Sequence, residues 1–225
     1  MKIDQNNVPA SKQVEKKNYV EIFNENGKIN VLFLGNSITR HEPKPEIGWN
    51  NDWGMAASKR ENDYVHLIVK YLKEKYEKVN YCIANCGEWE LNYFNDEIIC
   101  EWETAREFCA DIVIVRLGEN INQSKEMLLK EPVYEHYKKM IKYFCKKGTA
   151  KVIVTGLFWG KEEINNAIYQ VAKESNYQLV SIGDLSGDNE NMAIGQYWHS
   201  GVEMHPNDNG MRKIAERIIS NLENL

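Results

Sequence analysis

Short apolar runs alternate along the chain with longer segments whose apolar residues recur at helical spacing. The runs are rich in aliphatic and β-branched residues, which is typical of buried parallel strands. We predict strands at residues 29–34, 79–84, 111–117, 151–155 and 178–182. Apolar stripes predict helices that include residues 64–72, 133–144, 164–172 and 211–222. This alternation predicts an α/β fold, a three-layer α/β/α sandwich around a five-stranded parallel sheet.

The ends of these elements indicate where a functional site would lie. Pro132 suits the first position of a helix, and Asp208 or Asn209 could cap the last helix. In parallel sheets, ligands bind beyond the carboxyl ends of the strands. This rule selects the loops that begin at Gly35, Asn85, Gly118, Gly156 and Gly183.

The chain divides into an irregular N-terminal segment, residues 1–28, and a single domain, residues 29–225. The first segment is polar and ends in a cluster of turn residues at 24–27, so we expect it to wrap the surface. The N-terminus lacks the apolar stretch of a secretory signal, and no run approaches the roughly 18 residues of a membrane span. We therefore expect a cytoplasmic protein that has no membrane partner.

Charge and cysteine content argue against some classes of function. The net charge of −5 disfavours general nucleic-acid binding, which needs a basic face. The five cysteines are an odd number, lie largely in apolar stretches, and are expected to be reduced. Cys82 and Cys86 have C-x3-C spacing, but no second pair or nearby histidine completes four ligands. We expect neither a metal site nor a cofactor.

The loop after the first strand holds a candidate nucleophile, Ser37, in the segment Gly35-Asn36-Ser37-Ile38-Thr39. A serine on a tight glycine turn between a strand and a helix can expose its hydroxyl at the edge of the sheet. Its backbone N–H then points to the position where an oxyanion forms. The alternative is a serine that only caps a helix.

Four short blocks, in chain order, resemble the sequence blocks of the SGNH/GDSL hydrolases. The blocks are Gly35-Asn36-Ser37, Asn85-Cys86-Gly87, Gly118-Glu119-Asn120 and the segment 202–207, which contains His205. Each block falls at the predicted carboxyl end of a strand or just before the last helix, which is the context that such motifs need. The resemblance spans residues 31–220 in organisation and implies that family's flavodoxin-like architecture.

The resemblance implies a role for each matched residue. Ser37 would attack the carbonyl carbon of an ester, and His205 would accept its proton and later donate it to the leaving alcohol. The oxyanion hole would consist of the Ser37 N–H, the Gly87 N–H and the Asn120 side-chain amide. Simpler roles stay open: Gly87 and His205 as turn residues, and Asn120 as a partner of loop backbone groups.

The last block departs from the family pattern at Val202, where an aspartate usually orients the histidine. Valine cannot orient an imidazole, and triad enzymes depend strongly on that carboxylate. Three alternatives are open. Glu203 reaches His205, Asp184 arrives from the loop after the fifth strand, or a backbone carbonyl accepts the Nδ1 proton; we favour Glu203 or a carbonyl. The third block also departs, with Ile121 where an aspartate often follows the asparagine.

The chain has six tryptophans, and Trp53, Trp159 and Trp198 lie in or near the predicted active-edge loops. Because aromatic rings can stack on sugar faces, these three are candidates to line the substrate pocket, and an acylated carbohydrate is a candidate substrate. The alternative is that the rings only pack loops onto the sheet. His199 is either a second imidazole of the pocket or a surface residue.

These observations predict a serine hydrolase that cleaves carboxylic esters, with O-acetyl groups on carbohydrates as a candidate target. Its partner would be a small-molecule or carbohydrate ester. Two alternatives stay open: a catalytically weak carbohydrate-binding module on the same scaffold, and an acyltransferase that uses the same serine and histidine. The fold does not choose among these activities, and the sequence leaves the oligomeric state open.

Overall fold

The computed structural model describes residues 19–122 and 124–222. Strands in this part are β1 Tyr19–Phe23, β2 Asn30–Gly35, β3 Asn80–Asn85, β4 Ile112–Arg116, β5 Lys151–Thr155 and β6 Gln178–Val180. Helices are α1 Tyr64–Tyr76, α2 Gly87–Asn92, α3 Glu103–Glu107, α4 Lys125–Lys130, α5 Val133–Phe144, α6 Glu162–Glu174, α7 Ser200–Glu203 and α8 Asp208–Leu222. Short 3-10 helices occupy Pro45–Ile47, Arg60–Asn62, Ile98–Trp102, Gly183–Gly187 and Asn189–Asn191. None of the helices in these ranges is long and apolar enough to cross a membrane.

The six strands form one sheet in the order β1-β3-β2-β4-β5-β6. Strands β2 to β6 pair in parallel, whereas β1 runs antiparallel to β3. The chain moves from β2 to β3 on one side and then returns to place β4 on the other side, which creates a topological switch point. In the register of the sheet, Gly35 lies opposite both Asn85 and Arg116. The loops that follow β2, β3 and β4 therefore begin side by side at one edge.

Alternate residues of the strands point into two apolar cores, one on each face of the sheet. Leu32 and Leu34 of β2 pack with residues of α5 and α6, whereas Val31 and Phe33 pack with residues of α1 and α8. Helix α1 also contacts α8, and α5 contacts α6. The predicted three-layer α/β/α sandwich is confirmed.

The sheet has one strand more than the predicted five-stranded parallel sheet. Residues 19–23, which we assigned to the irregular segment 1–28, form β1 at the edge of the sheet, and Phe23 stacks on Tyr81 with ring centroids 4.3 Å apart. The residues of β1 are half-buried or exposed, so an edge strand of this kind lacks the continuous apolar run that identified the others. Residues 1–18 of that segment lie outside the described residues.

Two predicted helix ends also shift. Pro132 precedes the first residue of α5 instead of occupying its first position. The cap of α8 is Asn207, whose Oδ1 accepts the N–H groups of Asn209 and Gly210 at 2.9 and 3.1 Å, and neither Asp208 nor Asn209 takes this role. Because Asn207 lies two residues after His205, this cap fixes the chain direction just beyond the candidate base.

Candidate active site

Ser37 lies in a tight turn immediately after β2. The N–H groups of Thr39 and Arg40 both donate to the Asn36 carbonyl, at 2.8 and 3.0 Å, and so close the turn. Gly35 makes this turn possible, because a Cβ atom at that position would lie 1.7 Å from the Thr39 hydroxyl oxygen. The turn leaves Ser37 half-buried between fully buried neighbours, so its hydroxyl is held at the edge of the sheet.

The side chain of His205 faces Ser37. Its Nε2 lies 2.8 Å from the Ser37 Oγ, and its Nδ1 lies 2.7 Å from the Gly201 carbonyl oxygen. A carbonyl oxygen can only accept, so Nδ1 carries the proton and Nε2 is the acceptor for the serine hydroxyl. This is the tautomer that a general base for Ser37 requires.

The Gly201 carbonyl is available to His205 because helix α7 tightens at its end. The His205 N–H donates to the Val202 carbonyl at 3.0 Å, three residues back, and so leaves the Gly201 carbonyl without that donor. Unsatisfied carbonyl groups at a helix C-terminus need other donors. The imidazole of His205 itself supplies one, so a four-residue helix orients the ring without a carboxylate.

The environment of His205 favours the neutral imidazole. Burial lowers the pKa of His205 to about 3, and this effect outweighs the opposing hydrogen bond to Gly201. The nearby His41, Arg116 and His199 lower the pKa further. His199 is 1% exposed, so it is a buried second imidazole and not a surface residue. His205 is therefore a free base throughout the neutral pH range.

The structure does not bring Glu203 or Asp184 to His205. The Glu203 carboxylate accepts the Gly195 N–H at 2.7 Å, and the Asp184 carboxylate pairs with Arg217 at 2.5 Å. Glu203 lies on the side of α7 that faces the loop at Gly195, which corrects the role expected from its closeness in sequence. Val202 is fully buried in a small apolar cluster with Trp49 and Met55, among others. Of the three alternatives, the backbone carbonyl is the partner of Nδ1.

The expected oxyanion donors differ in what they contact. Within residues 19–122 and 124–222, the Ser37 N–H has no hydrogen-bond acceptor. The Gly87 N–H donates to Asn85 Oδ1 at 2.9 Å, so the donor expected at Gly87 is already engaged. Asn120 is half-buried, and its Nδ2 donates to Glu90 Oε2. One amide hydrogen of Asn120 is thus held, and the other remains for a ligand.

A buried cluster of charged and amide groups lies beside the serine turn. The Asn36 Nδ2 donates to Glu90 Oε1 at 2.9 Å and to Glu119 Oε2 at 2.8 Å, and the Asn36 Oδ1 accepts from Arg116. Arg116 also pairs with Glu119. Glu90 and Arg116 are fully buried. Because Glu90 binds both Asn36 and Asn120, one carboxyl group links the residue before Ser37 to the candidate oxyanion amide.

Comparison with solved structures reveals the same fold in other proteins, among them the following two. A family two carbohydrate esterase from Cellvibrio japonicus matches with a TM-score of 0.56 at 13% identity, over 88% of this chain and 61% of that chain. A Bacteroides ovatus structure described as a GDSL-like lipase matches with a TM-score of 0.53 at 14% identity, over 88% and 99% of the two chains. The chain has an SGNH/GDSL hydrolase-like fold.

The comparisons that support this fold are structural. No protein-family model matches the chain, and no curated protein does. The chain spans less than two thirds of the length of the Cellvibrio esterase. At 13% and 14% identity, these neighbours show the fold that this chain shares with them and no more than the fold.

The three predicted pocket tryptophans take different positions in this SGNH/GDSL-like fold. Trp159 lies edge-on against His205, with ring centroids 5.0 Å apart. Trp198 is 62% exposed and lies in the loop just before α7. Trp53 donates its indole N–H to the Ala57 carbonyl at 2.8 Å, so it serves to pack its own loop. Trp159 is therefore the ring that the structure places at the candidate base.

Sequence reasoning missed the buried charges of the site. Arg116 gave a usable signal, because it ends an otherwise apolar strand and a buried guanidinium needs a carboxylate partner. Glu119 was seen only as the middle residue of the third block. Glu90 gave no signal, since it lies on the six-residue helix α2, which is too short to show a periodic pattern.

Proposed function

We propose that this chain is a carboxylic-ester hydrolase that works through a Ser37–His205 dyad. The observation that supports this most is the pair of contacts made by His205, 2.8 Å to the Ser37 Oγ and 2.7 Å to the Gly201 carbonyl. Together they give a neutral base with the correct tautomer, aimed at a hydroxyl on a strand-edge turn. The SGNH/GDSL-like scaffold adds support through its esterase and lipase neighbours.

In the first half-reaction, the Ser37 Oγ attacks the ester carbonyl carbon while its proton passes to His205 Nε2. The carbonyl oxygen becomes a tetrahedral oxyanion, which the Ser37 N–H and the second amide hydrogen of Asn120 stabilise. The resulting imidazolium then protonates the leaving alkoxide, and the alcohol departs. An acyl group remains bonded to the Ser37 Oγ.

In the second half-reaction, water replaces the alcohol. His205 removes a proton from the water, whose oxygen attacks the acyl carbon, and the same donors hold the second oxyanion. Return of the proton to the Ser37 Oγ releases the carboxylic acid. An alcohol acceptor in place of water would give acyl transfer by the same steps.

We infer that the preferred substrate is a small acyl ester of a carbohydrate, such as an O-acetyl group. Trp159 at His205 and the largely exposed Trp198 are flat apolar surfaces of the kind that sugar rings contact. One fold neighbour is a carbohydrate esterase. Acetate release from an acetylated xylooligosaccharide, compared with hydrolysis of a long-chain nitrophenyl ester, tests this preference, and faster cleavage of the long chain would contradict it.

A fluorophosphonate probe tests the nucleophile directly. The wild type is expected to be labelled at Ser37 at neutral pH, as identified by peptide mass spectrometry, and to hydrolyse 4-nitrophenyl acetate. Ser37→Ala and His205→Ala should each lower kcat by about 10⁴-fold or more, because serine and histidine act as one unit. Ser220→Ala, on the surface of α8, serves as a matched control. A wild type that is not labelled and binds acetylated sugars without cleaving them would favour the carbohydrate-binding module.

A further inference from the structure

The fully buried carboxyl group of Glu90 is a titratable group of this site that the two half-reactions do not use. It sits in α2, just after β3, in the same buried cluster as Glu119 and Arg116. Two carboxylates and one guanidinium give an excess of negative charge when all are ionised. Burying an excess charge costs free energy, so we look for a role of Glu90 in the site that accounts for its presence there.

In all three of its side-chain hydrogen bonds, the Glu90 carboxylate is the acceptor. Its Oε1 accepts from the Gly118 N–H and from Asn36 Nδ2, and its Oε2 accepts from Asn120 Nδ2. A backbone N–H can only donate. The Asn36 amide cannot turn around either, because its Oδ1 accepts from Arg116 while its Nδ2 lies between two carboxylates. Asn120 is therefore the one partner of Glu90 that is able to reverse its amide.

We propose that Glu90 is a positioning residue of the oxyanion hole, whose ionised carboxylate holds the Asn120 amide with its nitrogen toward the reacting centre. This inference rests on the proposed function. A carboxylate at Oε2 accepts only N–H, so it fixes Nδ2 on its own side and leaves the second N–H for the oxyanion. A protonated carboxyl group, or an amide, would offer a donor there. Asn120 would then turn its Oδ1 inward and lose the oxyanion contact.

The electrostatic surroundings make this control sensitive to pH. Burial, followed by the charge of Glu119, raises the pKa of Glu90 to about 7, against the three hydrogen bonds that favour the ionised form. Arg116 lies in the same cluster, and the ionisable groups Cys86, Tyr137 and Lys161 also interact with Glu90. His205, with a pKa of about 3, does not titrate in this range. We therefore expect any acid limb near neutral pH to come from Glu90 and not from the general base.

The kinetic test compares Glu90→Gln with Glu88→Gln, a glutamate of the same helix outside the cluster. Glu90→Gln should lower kcat for 4-nitrophenyl acetate by about 100-fold with KM little changed, because one oxyanion donor is lost. Wild type and Glu88→Gln should share an acid limb in kcat near pH 7, which Glu90→Gln should lack. Wild-type kcat in Glu90→Gln, or an unchanged acid limb in that variant, would overturn the proposal.

A double-mutant cycle separates positioning from a merely structural role. Asn120→Ala removes the amide, so Glu90→Gln should cause no further loss of kcat in that background. Losses that multiply would show that Glu90 acts independently of Asn120 and would overturn the proposal. The cycle also stands if each variant is somewhat less stable, since it compares kcat of folded protein at one pH.

The side-chain amide resonances of Asn120 give a readout that does not depend on catalysis. In wild type they should shift with a midpoint near pH 7, and in Glu90→Gln they should not, because the titrating neighbour is gone. Asn120 resonances that do not shift with pH in wild type would overturn this proposal, and they would leave the proposed Ser37–His205 dyad unaffected. Failure of wild type to react with fluorophosphonate would instead overturn the proposed function, while the resonances still decide whether Glu90 holds the amide.

Discussion

The two sides of Ser37 are built from opposite kinds of polar groups. On one side, His205 is a neutral ring held by the Gly201 carbonyl and covered by Trp159. On the other side, Asn36 is fixed by fully buried charges, Arg116 among them. His205, which changes charge in the proposed reaction, is thus oriented by a dipole, whereas the amides of Asn36 and Asn120 are held by ions. The difference suggests that ionic groups in this site serve rigidity and not proton transfer.

The largest effect is expected when the buried charges beside Asn36 are changed, and it is a loss of unfolding free energy. Arg116→Met would remove the buried guanidinium that pairs with Glu119, which typically costs about 3 to 5 kcal/mol of unfolding free energy. Urea denaturation measures this. The matched control is Arg212→Met, since Arg212 forms an exposed pair with Glu216 that is worth at most about 1 kcal/mol. Equal midpoints for the two variants would mean that the buried charges do not stabilise the fold.

The next effect is a pair of opposing pH dependences. His205 has a folded pKa of about 3 against an ordinary value of 6.5, so the unfolded chain binds the extra proton between these values and stability falls as the pH drops. Lowering the pH from 6.5 to 4 should cost about 3 kcal/mol through this group alone. Glu90 has a raised pKa, so its contribution is present below its ordinary value of 4.5 and is lost as the pH rises toward about 7.

These slopes have opposite signs between pH 4.5 and 6.5 and partly cancel in the wild type. The unfolding free energy of Glu90→Gln should therefore decrease more steeply than that of the wild type as the pH falls, because the effect of His205 is then unopposed. His205→Gln should instead become more stable as the pH falls across this range. Thermal melts of both variants against pH check this, and parallel curves for the two would contradict the assigned environments.

The smallest effect is expected at Glu203. Its carboxylate contacts the Gly195 N–H and not His205, so Glu203→Gln should change kcat by less than about twofold and leave the acid limb in place. The loss in unfolding free energy should stay near 1 kcal/mol, the usual value of one hydrogen bond. A loss of kcat approaching that of a triad acid would show that Glu203 moves onto His205 during turnover and would remove the contrast between the two sides.

The sequence predicts this fold well because its strands are buried on both faces. Continuous apolar runs located the five parallel strands, and the strand-end rule selected the loop that holds Ser37, whereas His205 was a candidate only through the resemblance of segment 202–207 to a family block. Strand β1 escaped because it is an edge strand with a mixed pattern. The hydrogen-bond partner of His205 Nδ1 could not be identified from the sequence for a different reason, since a main-chain carbonyl has no sequence signature. Only the local geometry of α7 leaves the Gly201 carbonyl available to the ring.

The charged side of the site could be predicted only in part. Arg116 at the end of an apolar strand requires a buried partner, but the sequence does not say which acid supplies it. Glu119 lies three residues away, whereas Glu90 reaches the cluster through the pairing of β3 with β2. Contacts of this kind depend on the order of strands in the sheet, which the sequence pattern alone does not determine.

Strand β1 also has a consequence for how the protein behaves in solution. It covers the edge of β3, whose main-chain groups would otherwise offer a template for pairing with another chain. Its first residue supports the nucleophile turn as well, since the guanidinium of Arg40 lies 3.1 Å from the centre of the Tyr19 ring. A chain shortened to the boundary suggested by sequence, residue 29, would lose both features. Such a fragment would be prone to self-association, and its serine turn would be less firmly held.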